Sequence, residues 1–167
     1  RYPLVTGVQT CALPILLLDT SFASLGRTDD AERMLRQAEQ IILAMDGPQA
    51  DIRHASLLNH LSIIRAAQGR VREALEVLRE TKVYWNRSDG EFQREILTYQ
   101  RNEIALEIRL SDYDHVDERM ASLLARSDQL LGPGNGLNLS LRNEFLRYLL
   151  ESGQGLRALQ QSQQDLD

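Results

Sequence analysis

Asn59-His60-Leu61-Ser62-Ile63-Ile64-Arg65-Ala66-Ala67-Gln68-Gly69-Arg70-Val71-Arg72-Glu73-Ala74-Leu75 reads as the end of one amphipathic helix, a glycine turn and the start of a second. Apolar residues return at spacings of three and four on both sides of Gly69, which is the helical period. Weaker copies of this phrase recur along the chain. Gly26, Gly69 and Gly153 each stand five residues before a small residue that opens an apolar stripe, at Ala31, Ala74 and Ala158. A fourth copy lacks the glycine, with Ser111-Asp112-Tyr113 leading to Val116. Positions 31, 74, 116 and 158 are spaced by 43, 42 and 42 residues. Asn59, Asn102 and Asn143 stand about ten residues before three of the turns, followed at the second residue by Leu61, Ile104 and Phe145. A fixed period near 42 marks an array of stacked helix hairpins, in which no unit buries its apolar face alone.

From Leu16 onward β-branched residues are few and proline is scarce, so the fold class expected is all-α. The arrangement expected is a right-handed α-solenoid of about four antiparallel hairpins, at about 16–47, 50–87, 88–132 and 137–167, forming one repeat domain over 16–167. Local signals place the joints. Thr28 is an expected N-cap, with Asp29 and Asp30 suiting the positive end of the new helix. Gly47-Pro48 is expected to end that helix, and Ser88 to Glu91 forms a capping box opening a long helix to about Leu110. Gly132-Pro133-Gly134-Asn135-Gly136 is a loop. A helix rich in glutamine after Gly153 is either a polar cap or the point where the array was cut.

The first fifteen residues differ from the rest. They hold the one cysteine, Cys11, no acidic residue, and Pro3, Gly7 and Pro14 where a helix would be needed. The apolar run from Ala12 to Leu18 could be taken for a secretory h-region. However, Val5-Thr6-Gly7-Val8-Gln9-Thr10-Cys11-Ala12-Leu13-Pro14-Ile15 resembles the conceptual translation of a common sequencing adapter over 11 consecutive residues. The expectation is a non-native segment 1–15, extended or disordered, that gives Cys11 no redox meaning. The remainder has 18 basic and 24 acidic residues, a formal charge of −6, and no cysteine. That excludes disulfides and thiolate metal sites and disfavours nucleic acid, whose phosphates need a basic face. No apolar run is long enough to span a membrane, so the expected location is the cytoplasm.

The phrase Asn59-His60-Leu61-Ser62 with Gly69 and Ala74 resembles the tetratricopeptide repeat, in particular the 42-residue kind of kinesin light chains and many bacterial signalling proteins. Asn102-Glu103-Ile104-Ala105 with Tyr113 matches it too, and Asn143-Glu144-Phe145-Leu146 with Gly153 and Ala158 more loosely. Leu131-Gly132-Pro133 echoes the linker between such repeats. The resemblance implies a protein-binding scaffold belonging to a larger bacterial signalling or regulatory protein whose flanking domains are missing here.

Chemistry is sparse. His54, His60 and His115 lack partners at metal-ligand spacing, and no nucleophile motif or phosphate loop occurs, so neither enzyme activity, cofactor nor metal is expected. The structural positions of the repeat are Gly26, Ala31, Gly69, Ala74, Tyr113, Val116, Gly153 and Ala158. The candidates for a peptide groove are Asn59, Ile63, Arg101, Asn102, Arg109, Asn143 and Arg147. Carboxamides both donate and accept, which suits an extended peptide backbone, and guanidinium groups suit acidic groups on it. Two roles stay open: the asparagines form a ligand ladder, or they bond across to neighbouring hairpins and serve packing. Correspondingly the chain is a binding module or a spacer between domains.

Overall fold

A computed structural model describes residues 27–44, 48–85 and 92–164. The adapter-like segment, the first helix stub, Gly26, Gly47 and the Ser88–Glu91 capping box lie outside these residues. Eight helical segments are described: α1 (Thr28–Leu43), α2 (Pro48–Ala67), α3 (Val71–Glu80), α4 (Lys82–Trp85), α5 (Gln93–Arg109), α6 (Val116–Leu131), α7 (Gly136–Glu151) and α8 (Gly155–Gln164). No strand occurs among the described residues. Contacts gather into two compact units, one up to Glu91 and one from Phe92 on, where the sequence suggested one repeat domain. Cohesion in a repeat array is local, which makes such a division natural.

In the first unit α2 packs against α1 on one side and against α3 and α4 on the other. Ala31, Leu35, Ala38 and Ile42 of α1 meet Leu57, Leu58 and Ile64 of α2 and Val77 of α3 in one core. In the second unit α5 pairs with α6, α6 with α7, and α7 with α8, and α5 also touches α7. Its core joins Leu97, Ile104 and Ile108 to Met120, Leu123, Leu141 and Leu149. Contact between successive first helices is what stacking of hairpins requires.

Three turns have one geometry. Gly69, Ser111 and Gly153, 42 residues apart, all take the left-handed conformation, at φ +81°, +59° and +79°. Each amide of these residues donates to the carbonyl three residues back, and the next amide closes a longer ring: Arg70 to Arg65 (2.9 Å), Asp112 to Glu107 (3.0 Å) and Gln154 to Leu149 (2.7 Å). These are Schellman closures, which satisfy the last carbonyls of a helix and reverse the chain. Just beyond each turn the small residue is buried: Ala74 and Val116 are 0% and 1% exposed, Ala158 5%, and Ala31, one repeat earlier, 0%. Helices approach closely there, and a larger side chain would overpack by about 1–3 kcal/mol.

Several local expectations are corrected. Thr28 is the first helical residue and Arg27 the N-cap, without a capping side chain; Arg27 Nε instead donates to Asp30 Oδ2 at 2.8 Å. Pro48 opens α2 rather than closing α1, a position that suits a residue without an amide hydrogen. The helix that follows the Gly69 turn stops at Thr81, whose hydroxyl donates to the Leu78 carbonyl at 2.7 Å, and α4 is a separate turn. The third hairpin's second helix starts late, at Val116, after His115 has also gone left-handed (φ +57°). In the other turns the chain is helical within two residues of the glycine.

The inter-hairpin loop is held by a residue the sequence reading left as mere loop. Asn135 caps α7: its Oδ1 accepts from the amides of Leu137 (2.9 Å) and Asn138 (3.1 Å), and its Nδ2 donates to the Gly132 carbonyl (2.6 Å).

Three stability changes are expected, measured by urea unfolding of the whole chain. Ser111→Gly removes a left-handed side chain and raises stability by about 1 kcal/mol, whereas Gly153→Ala lowers it by about the same amount. No atom lies within 4 Å of a Cβ built at Gly153, so the second cost is conformational rather than steric. Asn135→Ala loses the cap and costs about 1–2 kcal/mol.

Candidate functional site

The shared turns fix which residues occupy equivalent places on the first helices. Asn59 and Asn143 stand ten residues before their turn residues, but Asn102 stands nine before Ser111. One residue is a rotation of about 100° around a helix. Arg101 therefore takes the place equivalent to Asn59 and Asn143, and Asn102 joins His60 and Glu144. The seven groove candidates fall into two rows.

The first row is Asn59, Arg101 and Asn143. On α5, Arg101 lies between Leu97 and Ile108, both buried at 1% exposure. It is half-buried itself, and its Nε donates to Asn102 Oδ1 at 3.1 Å. Burial pulls the Arg101 pKa down, and the nearby carboxylate of Glu144 on α7 opposes that shift. Asn59 is buried too, whereas Asn143, in the last described hairpin, is exposed. This row lies at the packed edge of each first helix.

The second row is turned outward. On α5 it comprises Thr98, Asn102, Ala105 and Arg109, and on α7 Ser140, Glu144, Arg147 and Glu151. In the first unit Ile63, on α2, holds the place equivalent to Ala105 and Arg147 and is 38% exposed. The structure joins α5 and α7 of the second unit at this row. Arg147 on α7 donates through Nη2 to the Ala105 carbonyl on α5 at 3.4 Å, and the two are one repeat apart. Arg147 is also ion-paired with Glu144 and lies 3.8 Å from Glu151. Thus Arg101, Asn102 and Arg147 come together beside Glu144. Arg109 is exposed at the same side of α5, and Asn59 and Ile63 belong to the other unit.

The carboxylates of Glu144 and Glu151 were missed. Their spacings of three and four from Arg147 on one helix would have revealed them. Also missed were the buried Glu103 and Glu107 of α5, which face Arg119 of α6; its Nη2 is 3.5 Å from Glu103 Oε2, and its Nη1 donates to Glu107. Their positions on an otherwise ordinary charged helix gave no signal of burial.

A separate set of polar contacts ties α1 to the turn after α2, and α6 to the hairpin of α7 and α8. Asp117 on α6 accepts from Arg157 Nη2 on α8 (2.8 Å) and from the Tyr148 hydroxyl on α7 (3.1 Å). Tyr148 packs edge-on against Tyr113 at 5.5 Å and near-parallel to Phe145 at 5.9 Å. Two repeats earlier, Glu32 on α1 accepts from Gln68 (3.3 Å) and Arg70 (3.4 Å) at the next turn. Burial of Glu32 resists ionisation, but hydrogen bonds from Arg36 and Gln68 and the charge of Arg70 outweigh it and lower its pKa. Asp117 sits below the ordinary carboxylate range, mainly through its bond with Arg157 and then with Tyr148. The acidic cluster at the start of α6 is thus divided: Asp117 binds the next hairpin, and Glu118 lies 3.4 Å from the exposed His115.

Among the described residues no group of three potential metal-ligating side chains converges, and no helix is long and apolar enough to cross a membrane. No protein-family profile matches the chain, and no curated protein matches it. Two solved structures of a putative kinesin light chain from Podosopora anserina, built of nearly identical TPR-like repeats, do superpose on it. They match with TM-scores of 0.68 and 0.66, each at 19% identity, covering 92% of this chain and 72% of theirs; the first is a single-residue variant. The fold is that of TPR-like helical repeats. In a TPR-like array the 42-residue spacing of the left-handed turns is the repeat itself, and Asp117 and Glu32 hold one repeat to the next.

Asp117 provides a pH test. A carboxylate whose pKa is depressed on folding contributes stability above its unfolded pKa of about 4, and the contribution is lost as pH falls through the folded value. Asp117→Asn is expected to lower the melting temperature at pH 7 and to flatten its decline between about pH 5 and pH 3. Calorimetry over that range reads both effects, and an unchanged acid limb refutes the assignment.

Proposed function

We propose that the chain is a protein-interaction scaffold that takes an extended peptide or partner segment along its first helices. Helical repeats of this TPR-like kind generally mediate protein–protein interaction, and the solved structures the chain resembles are of a kinesin light chain. The observation that carries the reading is the outward row of the second unit. Asn102, Arg109 and Arg147 occupy one side of two touching helices, with Arg101 and Glu144 at its edge. The Asn102 carboxamide suits a peptide backbone, and the exposed guanidinium of Arg109 suits an acidic side chain. Asn143 on α7 is a further candidate in this unit, and Asn59 and Ile63 on α2 are candidates in the first unit.

The finer reading is a cytoplasmic piece of a larger bacterial signalling or regulatory protein, without enzymatic activity or cofactor and without nucleic acid or membrane as partner. Residues 1–15 are then adapter-derived, on the strength of their sequence resemblance. The hairpins at about 16–47, 50–87, 88–132 and 137–167 are the repeat units of this reading.

One observation favours the alternative, a spacer between domains. Arg147 is committed to Glu144 and to the Ala105 carbonyl, and Asn59 and Arg101 lie in the packed row. Side chains that satisfy one another have less to offer a guest.

Panning a displayed peptide library against the purified chain separates the two readings. A scaffold selects peptides enriched in acidic residues. The double variant Asn102→Ala, Arg109→Ala then weakens them by about tenfold or more, and Arg109→Ala alone separates lost binding from the loss of Arg101's acceptor. Failure to enrich any motif favours the spacer, and binding indifferent to both changes places the guest on another surface.

A further inference from the structure

Asn135-Gly136 is a reactive pair in the loop that joins α6 to α7. Of the six asparagines in the chain, Asn135 alone precedes glycine; the others precede His60, Arg87, Glu103, Leu139 and Glu144. An asparagine carboxamide can be attacked at Cγ by the backbone nitrogen of the next residue, and a side chain on that residue hinders the approach. Glycine has no Cβ and leaves it open. Asn59, Asn102, Asn138 and Asn143 also lie inside helices, where the following amide is tied into the helical ladder. Gly136 differs: it is exposed and is the first residue of α7, so no helical carbonyl one turn back satisfies its amide.

In the folded chain the Asn135 carboxamide is engaged. Oδ1 accepts from Leu137 and Asn138, while Nδ2 donates to the Gly132 carbonyl at 2.6 Å and to Ser127 Oγ at 3.3 Å. Attack by the Gly136 nitrogen turns the carboxamide away from these partners, so the cap must open first. We propose that Asn135 is a covalent modification site, deamidating when the cap of α7 opens. Hydroxide removes the Gly136 amide proton, the nitrogen bonds to Cγ, and the Cγ–Nδ2 bond breaks, ammonia leaving with a proton taken from water. A second water opens the resulting cyclic imide at either carbonyl and leaves aspartate or isoaspartate at 135. The net change consumes one water and releases one ammonia. Aspartate still accepts from the two amides and suits the positive end of α7, but it has no group to donate to the Gly132 carbonyl. Isoaspartate routes the backbone through the side-chain carbon and displaces the cap. Both products drop the bond that ties the loop to the start of α7, whether or not the first helices take a guest.

The test incubates the full 167-residue chain at mildly alkaline pH, both folded and unfolded in urea. Fragment masses of the tryptic peptide from Ser127 to Arg142 separate Asn135 from Asn138, and enzymatic methylation counts isoaspartate. Deamidation is expected at Asn135 ahead of the other asparagines. It is expected to run about tenfold slower in the folded chain than in the unfolded one, since only the opened fraction reacts. Gly136→Ala is expected to slow it by about tenfold or more in both states, because the new Cβ hinders the attacking nitrogen. A Cβ built at Gly136 meets nothing within 4 Å, so this variant keeps its helicity by circular dichroism. Equal rates in the folded and unfolded chain overturn the role of the cap. A Gly136→Ala chain that deamidates as fast as the original refutes attack by the Gly136 nitrogen. A folded chain with Asn135 intact after about a hundred lifetimes of the unfolded chain's reaction, or one that deamidates elsewhere first, overturns the site.

Discussion

One left-handed residue every 42 positions is the constraint on which the rest of this molecule depends. At Gly69, Ser111 and Gly153 the helix must stop, give its last carbonyls to two amides beyond it, and send the chain back alongside itself. That reversal delivers a small or branched residue, Ala74, Val116 or Ala158, to the point where the helices are closest. Their small volume permits the approach, and the approach buries the leucines and isoleucines on either side. Because the turn geometry is common, every helix position has an equivalent one repeat away. Differences in burial between equivalents then carry information that no single helix does.

Those differences explain which parts of the fold were legible in the sequence. Glycine turns, buried alanines and the 42-residue period are written in residue types with strong local preferences, so they could be read directly. Ser111 is the instructive exception. Its residue type does not advertise a left-handed conformation, and only its place in the series does. The chain follows the series at a conformational cost, and the following helix forms only from Val116. Tertiary packing of Val116 and its neighbours overrides the local preference there.

The candidate site was legible only in part. Residue types at Arg101, Asn102 and Arg147 pointed to the region where α5 and α7 meet, but the asparagine series hid a slip of one residue. Counting from asparagine to asparagine puts Asn59, Asn102 and Asn143 on one line, and counting from the turns does not. The turns are the better ruler, because their backbone hydrogen bonds recur in each copy. Ion pairs such as Glu103 and Glu107 with Arg119 were illegible for another reason: burial of a charged pair depends on neighbouring helices and leaves no mark on its own periodicity.

The slip also bears on what the polar rows do. Arg101 in the packed row of α5 lies near Glu144 of α7, whose carboxylate opposes the lowering of the arginine's pKa by burial. Its equivalent Asn143 is exposed in the last described hairpin. The outward row is different, since Asn102 and Arg109 stay at least partly accessible on a helix with neighbours on its other sides. A polar side chain that remains accessible despite stacking can exchange water for a guest without loosening the hairpins, which a packing residue cannot do. Accessibility separates Arg109, exposed on α5, from Asn59, buried on α2, while Arg101 and Asn102 are alike half-buried and bonded to each other.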